Sequence, residues 1–342
     1  MSLSVKPGSS VTALVSTAAV IVVILGMQAA SSILVPLMVS IFLAVVCKPP
    51  MNWLTDHRVP AGIAVALVVL VIISLLSVGG MFLGSSIAEF TERLPFYEQR
   101  LNEELINLAA FFGQPVTIQE LLDKVQPAAA MSLVANLLSG LQGLFANFFL
   151  IIFTVIFILL ESSSFPVKMR SVLAAARADP DYFVRFTSSV QQYLGIKTVI
   201  SLVTGLTAGL LTAVLGLDFP VLWGVFAFTL NYVPNIGSII AAIPPIILAL
   251  VQFGFGQSLL VALGYLAINI SIGGIIEPRV MGRNLGLSTL VVFLSLIFWG
   301  WVFGPVGMLL SVPLTMTAKI ALETSDRTAP LAALLGTPES AE

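Results

Sequence analysis

The chain has 342 residues, of which 58% are hydrophobic and 9% charged, with a formal net charge of −2 and a mean hydropathy of +1.06. Soluble domains carry roughly 25% charged residues, so a water-soluble fold is excluded, and the near-neutral balance offers no basic face for nucleic acid. One cysteine (Cys47) and one histidine (His57) exclude an intrachain disulfide and leave no basis for a His/Cys metal site.

Taken in chain order, apolar runs predict membrane spans over 11–28, 31–48, 61–85, 140–160, 194–216 and 258–276. Each is near the ~20 residues that cross a hydrocarbon core. The run after Lys6 resembles a signal peptide, but it exceeds the about 7–15 apolar residues of one, and a second run follows at once. It is read as a retained first span. Lys and Arg near span ends mark the cytoplasmic side. Lys6, Lys48 and Arg58 therefore put the N-terminus and the second loop inside, and 86–139 outside. That outer segment carries seven acids (Glu89, Glu92, Glu98, Glu103, Glu104, Glu120, Asp123) against three bases (Arg93, Arg100, Lys124). The loop 161–193, with Lys168, Arg170, Arg177 and Arg185, is inside again.

Two further runs, 219–252 and 287–320, are too long and too broken for one helix each. Span 258–276 ends at Arg279 and Arg283, hence inside, so it begins outside. The fifth span also exits, near Asp218. Segment 219–252 therefore starts and finishes on the outer side, a helical hairpin whose tip is NYVPNIGSIIAAIPP, residues 231–245. Its first arm, 220–232, has 13 residues, about 20 Å of helix, short of the ~30 Å core. Segment 287–320 starts inside and ends inside at Lys319, with Arg327 beyond it, and breaks at FGPVG. Trp223, Gly224, Pro234, Gly237 and Pro244 of the first are echoed by Trp299, Gly300, Pro305, Gly307 and Pro313 of the second. Paired interrupted segments point to a transporter's site.

The expected fold class is an all-α polytopic membrane protein with about six full spans, two broken helical hairpins and a small extracytoplasmic helical segment. Residues 1–85 are N-terminal spans forming a scaffold. Residues 86–139 form extracytoplasmic amphipathic helices, with Leu101, Leu105, Leu108 and Phe112 on one face and a capping box at Thr117–Glu120. Residues 140–193 hold a span and a cytoplasmic amphipathic helix opening at Asp179-Pro180. Residues 194–320 form a transport unit, and 321–342 a loose cytoplasmic tail. Gly80/Gly84 and Gly205/Gly209 have the spacing of close helix packing, and glycines at 254, 256, 282 and 286 are candidate hinges.

Proline at 234, 244 and 245 removes backbone donors, and a broken ladder at membrane depth is tolerated only when buried in protein or lining a watery cavity. Neutral donors and acceptors at such a break suit a small, polar, hydroxyl-rich solute, or a cation held by carbonyl oxygens. The candidate substrate-binding residues are Asn231, Tyr232, Pro234, Asn235, Gly237 and Ser238 in the first hairpin. Asn269 lies in the intervening span, and Trp299, Gly304, Pro305 and Gly307 lie in the second hairpin. Glu277 and Arg279, at an inner boundary, read as a local ion pair or a topology marker. There is no phosphate-cradling G-x-x-x-x-G-K-[ST] and no Ser/His/Asp set, so no enzyme, catalytic residue, cofactor or metal is expected.

The stretches FTLNYVPNIGS (228–238) and EPRVMGRNLGLSTLVVFLSLIFWGWVFGPVGMLLSVPLT (277–315) resemble the hallmarks of the autoinducer-2 exporter family, and the resemblance runs from about residue 10 to 325. It implies a multi-pass protein of the bacterial inner membrane that exports autoinducer-2, a small furanone signal of quorum sensing. It further implies a homopentamer, two hairpins at the substrate site, and an elevator-like movement of that unit against the remaining spans and the external segment. Lys6 and Lys319 orient both termini to the cytoplasm. The partners expected are the small polar signal, the lipid bilayer and further copies of the chain. The residues alone leave open a sodium (or lithium)/proton antiporter, whose titratable carboxylate would have to be Glu161, Asp218 or Glu277 at span ends. They also leave open a structural or channel-forming oligomer.

Overall fold

The computed structural model describes residues 9–111, 129, 131–132, 134–138, 147–162, 180–234, 236–281, 287–323 and 328–336. Among these residues every regular element is a helix. The long helices carry large apolar side chains outward: Val22, Leu75, Phe157 and Leu206 are 66–69% exposed. A water-soluble bundle buries such faces, whereas a bilayer solvates them. Among the described residues, five helices are long and apolar enough to cross a membrane, within Ser31–Asp56, Ala61–Glu92, Ser188–Val214, Phe255–Met281 and Thr289–Leu309.

Helices α1 (Ser9–Ala29), α2 (Ser31–Asp56) and α3 (Ala61–Glu92) fall on the first three predicted spans, and α2 and α3 are among the five. The sequence ended the second at 48, but α2 continues through Pro49 and Pro50. Proline's fixed φ is compatible with a helix, although each ring loses the bond to the preceding turn and crowds the carbonyl four residues back. Helix α5 (Phe148–Glu161) is the described part of the fourth span, and 140–146 lies outside the described residues. The middle and end of α2 and the first half of α3 pack with α5 around Ala44, Val65, Val69, Ile152 and Val155.

A larger core joins the end of α3, α4 (Leu94–Phe111), α6 (Pro180–Val214), α7 (Pro220–Leu230), α8 (Gly237–Phe253) and α9 (Phe255–Ile268). The amphipathic face expected at Leu101 and Leu105 does point inward, and Tyr97 and Leu101 are buried there. Phe112 and the Thr117–Glu120 capping box lie outside the described residues. Arg93 and the Tyr97 hydroxyl both reach Asp218, at 3.5 and 3.1 Å. The predicted extracytoplasmic segment thus packs on the same core as the first broken segment. The close packing expected of Gly205 and Gly209 occurs against α7: a Cβ on Gly205 would lie 2.7 Å from the Gly224 carbonyl oxygen. Gly84 faces open space within this chain.

Helix α9 passes through a π-helical stretch, Asn269–Ile276, into α10 (Glu277–Met281). The remainder is α11 (Thr289–Leu309), α12 (Ser311–Glu323) and α13 (Ala329–Leu335). The tail expected to be loose instead forms α13 on α12, because Ala332 is buried and the Ser288 N–H donates to the Leu335 carbonyl at 3.1 Å.

Candidate functional site at the two breaks

Phe219, held in the left-handed region (φ 60°, ψ 45°), turns the chain into α7, whose first residue Pro220 needs no intrahelical donor. Eleven residues later the helix stops, and Asn231 to Ile236 carry the chain into α8. The Asp218 N–H donates to the Gln252 side-chain oxygen at 3.2 Å. The segment therefore returns to the end of the bundle from which it set out. Gly237 makes the reversal sterically feasible: any Cβ there would sit 1.8 Å from the Leu230 carbonyl oxygen.

At this first break the polar side chains turn onto α6. The Asn231 amide donates to Ser201 Oγ at 3.0 Å, and the Tyr232 hydroxyl donates to Thr198 Oγ1 at 2.9 Å. Thr198 in turn donates to the Leu194 carbonyl at 2.7 Å. Asn231 and Tyr232 are buried, while Pro234 and Ser238 are half-buried. Asn235 lies outside the described residues. The Tyr232 ring meets Phe42 of α2 and Phe228 edge-on, at 5.4 and 5.6 Å. The donors offered by the sequence are thus present, but in this state α6 satisfies them.

The second break falls at Gly304, whose φ of 65° and ψ of −149° lie in a region open essentially to glycine alone. Helix α11 therefore kinks at Gly304 and does not run as a straight rod from Thr289 to Leu309. Trp299 Nε1 donates to Thr315 Oγ1 at 2.9 Å, whereas sixteen residues of straight helix would separate them by about 24 Å. Gly307 repeats the role of Gly237, since a Cβ there would lie 1.9 Å from the Trp299 carbonyl oxygen. Pro305 has no N–H for the Trp301 carbonyl. Gln28 of α1 supplies the missing donor, Nε2 to that oxygen at 3.3 Å. Beside this contact is a cavity of about 460 Å³ lined by Gln28, Ser31, Ser32, Asn147, Phe303 and Gly304 among others.

The two breaks meet α2 at different levels. Tyr232 meets α2 at Phe42, while the Gly304 cavity meets it at Val35 and Pro36, roughly 10 Å away along the helix. Asn269 is half-buried at the start of the π-helical stretch, a geometry common at functional sites. Glu277 pairs not with Arg279 but with Lys197, at 2.5 Å, with side chains only 19% and 4% exposed. The sequence reading missed Lys197, Thr198, Ser201, Gln28 and Ser31. A lysine inside the apolar run 194–216 was the available signal for the first, because a charge inside a span is costly and seldom idle. Nothing local singles out the hydroxyls, which are common in membrane helices.

Residues 17–327 match the model of the AI-2E family transporter. The chain is 44% identical over 306 residues to the AI-2 transport protein TqsA of Escherichia coli K12, covering 89% of each chain. It is 42% identical over 336 residues to a putative transport protein of Haemophilus influenzae, covering 95% of this chain and 96% of the relative. It is 38% identical over 326 residues to the putative transport protein YhhT of E. coli K12, covering 94% and 93%.

Proposed function

This chain belongs to the AI-2E transporter family, and on that footing we propose that it is a secondary transporter exporting autoinducer-2 across the bacterial inner membrane. The observation that carries the reading is the end-to-end similarity to a relative named for AI-2 transport. The chemistry of the first break supports it. A neutral solute rich in hydroxyls can exchange with the Asn231–Ser201 and Tyr232–Thr198 bonds one for one. No buried polar group is then stranded, an outcome that costs about 1–3 kcal/mol per group. An apolar solute has no such exchange to offer. The cavity at Gly304 falls within the roughly 300–1,000 Å³ of small-molecule sites.

In this reading 219–252 and 287–320 are helical hairpins entering from opposite faces. The Asp218 end is extracytoplasmic, and both termini are cytoplasmic. The solute contacts are Asn231, Tyr232, Pro234, Asn235, Gly237 and Ser238 at one tip, Trp299, Gly304, Pro305 and Gly307 at the other, and Asn269 between. The working form is a homopentamer. Transport proceeds by an elevator-type movement of the two hairpins, within the unit 194–320, against the remaining spans, with the Tyr232–Phe42 contact as part of the sliding surface. Efflux of autoinducer-2 from proteoliposomes holding the pure protein tests this, comparing wild type with Asn231→Ala and Tyr232→Phe. Protein-dependent efflux that falls in both variants is the expected result. Retention of the signal while protons exchange for sodium overturns the reading.

A further inference from the structure

Among the described ion pairs, Lys197–Glu277 stands apart: the lysine side chain is 4% exposed, against 13% or more for every other basic partner. It lies within a candidate span, Ser188–Val214, and Glu277 lies within another, Phe255–Met281. A buried ion pair is a poor source of stability, because desolvation offsets the attraction and an apolar pair of similar volume holds as well. Inside a membrane such a pair usually marks a functional path.

Its surroundings say which path. Lys197 directly precedes Thr198 and lies one helical turn from Ser201, the two residues that hold Tyr232 and Asn231. Tyr193, buried on the same helix, lies near both Glu277 and Tyr232. Tyr193 and Leu194 pack with Val312 and Met316 of α12 and with Phe42, Val45 and Val46 of α2. Glu277 is the first residue after the π-helical stretch, whose wider turn can absorb a one-residue shift of register. Along α6, Tyr193 and Lys197 thus precede Thr198 and Ser201 on the way from the Glu277 end to Asn231 and Tyr232.

We propose that Lys197 and Glu277 are positioning residues of the transport cycle: a charge latch that holds α10 against α6 across the route to the first break and opens to admit solute from the Glu277 end. The proposal rests on the transport reading above. An ion pair suits a latch that must open into water. Once parted, both charges are hydrated, whereas two apolar side chains would resist exposure.

The test uses full-length protein in proteoliposomes with Cys47→Ser and a reporter Thr198→Cys, labelled by a membrane-impermeant maleimide from each side in turn. The neutral, similarly sized Lys197→Met/Glu277→Gln pair avoids stranding a buried charge. The latch predicts that this variant labels about tenfold faster or more from one side, equivalent to about 1.4 kcal/mol. The charge-swapped Lys197→Glu/Glu277→Lys variant returns to the slow rate. Equal labelling in all three overturns the proposal, as does a swap that labels as fast as the neutral pair, since the pair would then act by packing alone. Labelling does not depend on which solute moves, so absence of autoinducer-2 efflux would refute the transport reading while this result still decides the latch.

Discussion

The two breaks are built alike and held differently. In each, a glycine lies where a Cβ would meet a carbonyl oxygen of the opposite arm, Gly237 against Leu230 and Gly307 against Trp299. In each, a proline stands at the turn. At the first, however, the grip comes from Thr198 and Ser201 on α6, the helix next to it in the chain. At the second it comes from Gln28, far away in sequence on α1. Under the transport cycle proposed above, the first tip would travel with the helix that holds it, and the second would part from α1. A repeated local device can therefore serve two mechanical roles, set only by the neighbour that satisfies its freed backbone.

The strongest way to break the resemblance is to fill both close approaches. Gly237→Ala and Gly307→Ala force a Cβ into backbone oxygen, and each should cost about 3 kcal/mol or more. The readout is the yield of monodisperse protein and its thermal midpoint in detergent, and equal losses would confirm the equivalence of the two turns. Next comes Gly304→Ala, strained by its φ rather than by contact, with a cost of about 1–3 kcal/mol. The corresponding turn at the first break has no positive-φ glycine, so only the second break should show this sensitivity.

Gln28→Leu sharpens the contrast by leaving the Trp301 carbonyl without its donor, at about 1–3 kcal/mol. That loss should appear as a lower midpoint and slower efflux. At the first break Tyr232→Phe should cost only about 0.5–1.5 kcal/mol in stability while still reducing efflux, because Thr198 keeps its own bond to the Leu194 carbonyl.

The smallest effect belongs to the Asp218 end, where Tyr97→Phe removes one hydrogen bond, about 0.5–1.5 kcal/mol. Burial first, and the Asp218 charge second, push the Tyr97 phenol up to about 12, from an ordinary value near 10. The protonated phenol is the stabilising form. Its contribution is complete below pH 10 and is lost as pH climbs from there to about 12. The midpoint difference between wild type and Tyr97→Phe should shrink across that window.

Much of this architecture is legible without coordinates. The scarcity of charge and the ~20-residue apolar runs specify an all-α membrane protein, because only backbone satisfied within its own segment survives in lipid. Both breaks can be located from proline and glycine, whose effects on the ladder are local. Basic residues at span ends lead to the expectation that 219–252 ends on the side where it began; the structure itself adds that Asp218 and Gln252 are hydrogen-bonded. The continuation of α2 past Pro50 and the docking of α13 were not legible, since each depends on packing rather than on pattern.

What the sequence determined by itself, then, is where the helices are and where they fail, because those outcomes rest on interactions within a few residues. Only the tertiary structure decided what satisfies each failure: Ser201 and Thr198 for Asn231 and Tyr232, Gln28 for the Trp301 carbonyl, Lys197 for Glu277. A freed carbonyl, a hydroxyl or a buried carboxylate constrains the chemistry of its partner but not that partner's position along the chain. The folded path alone brings residue 28 to residue 301 and residue 197 to residue 277.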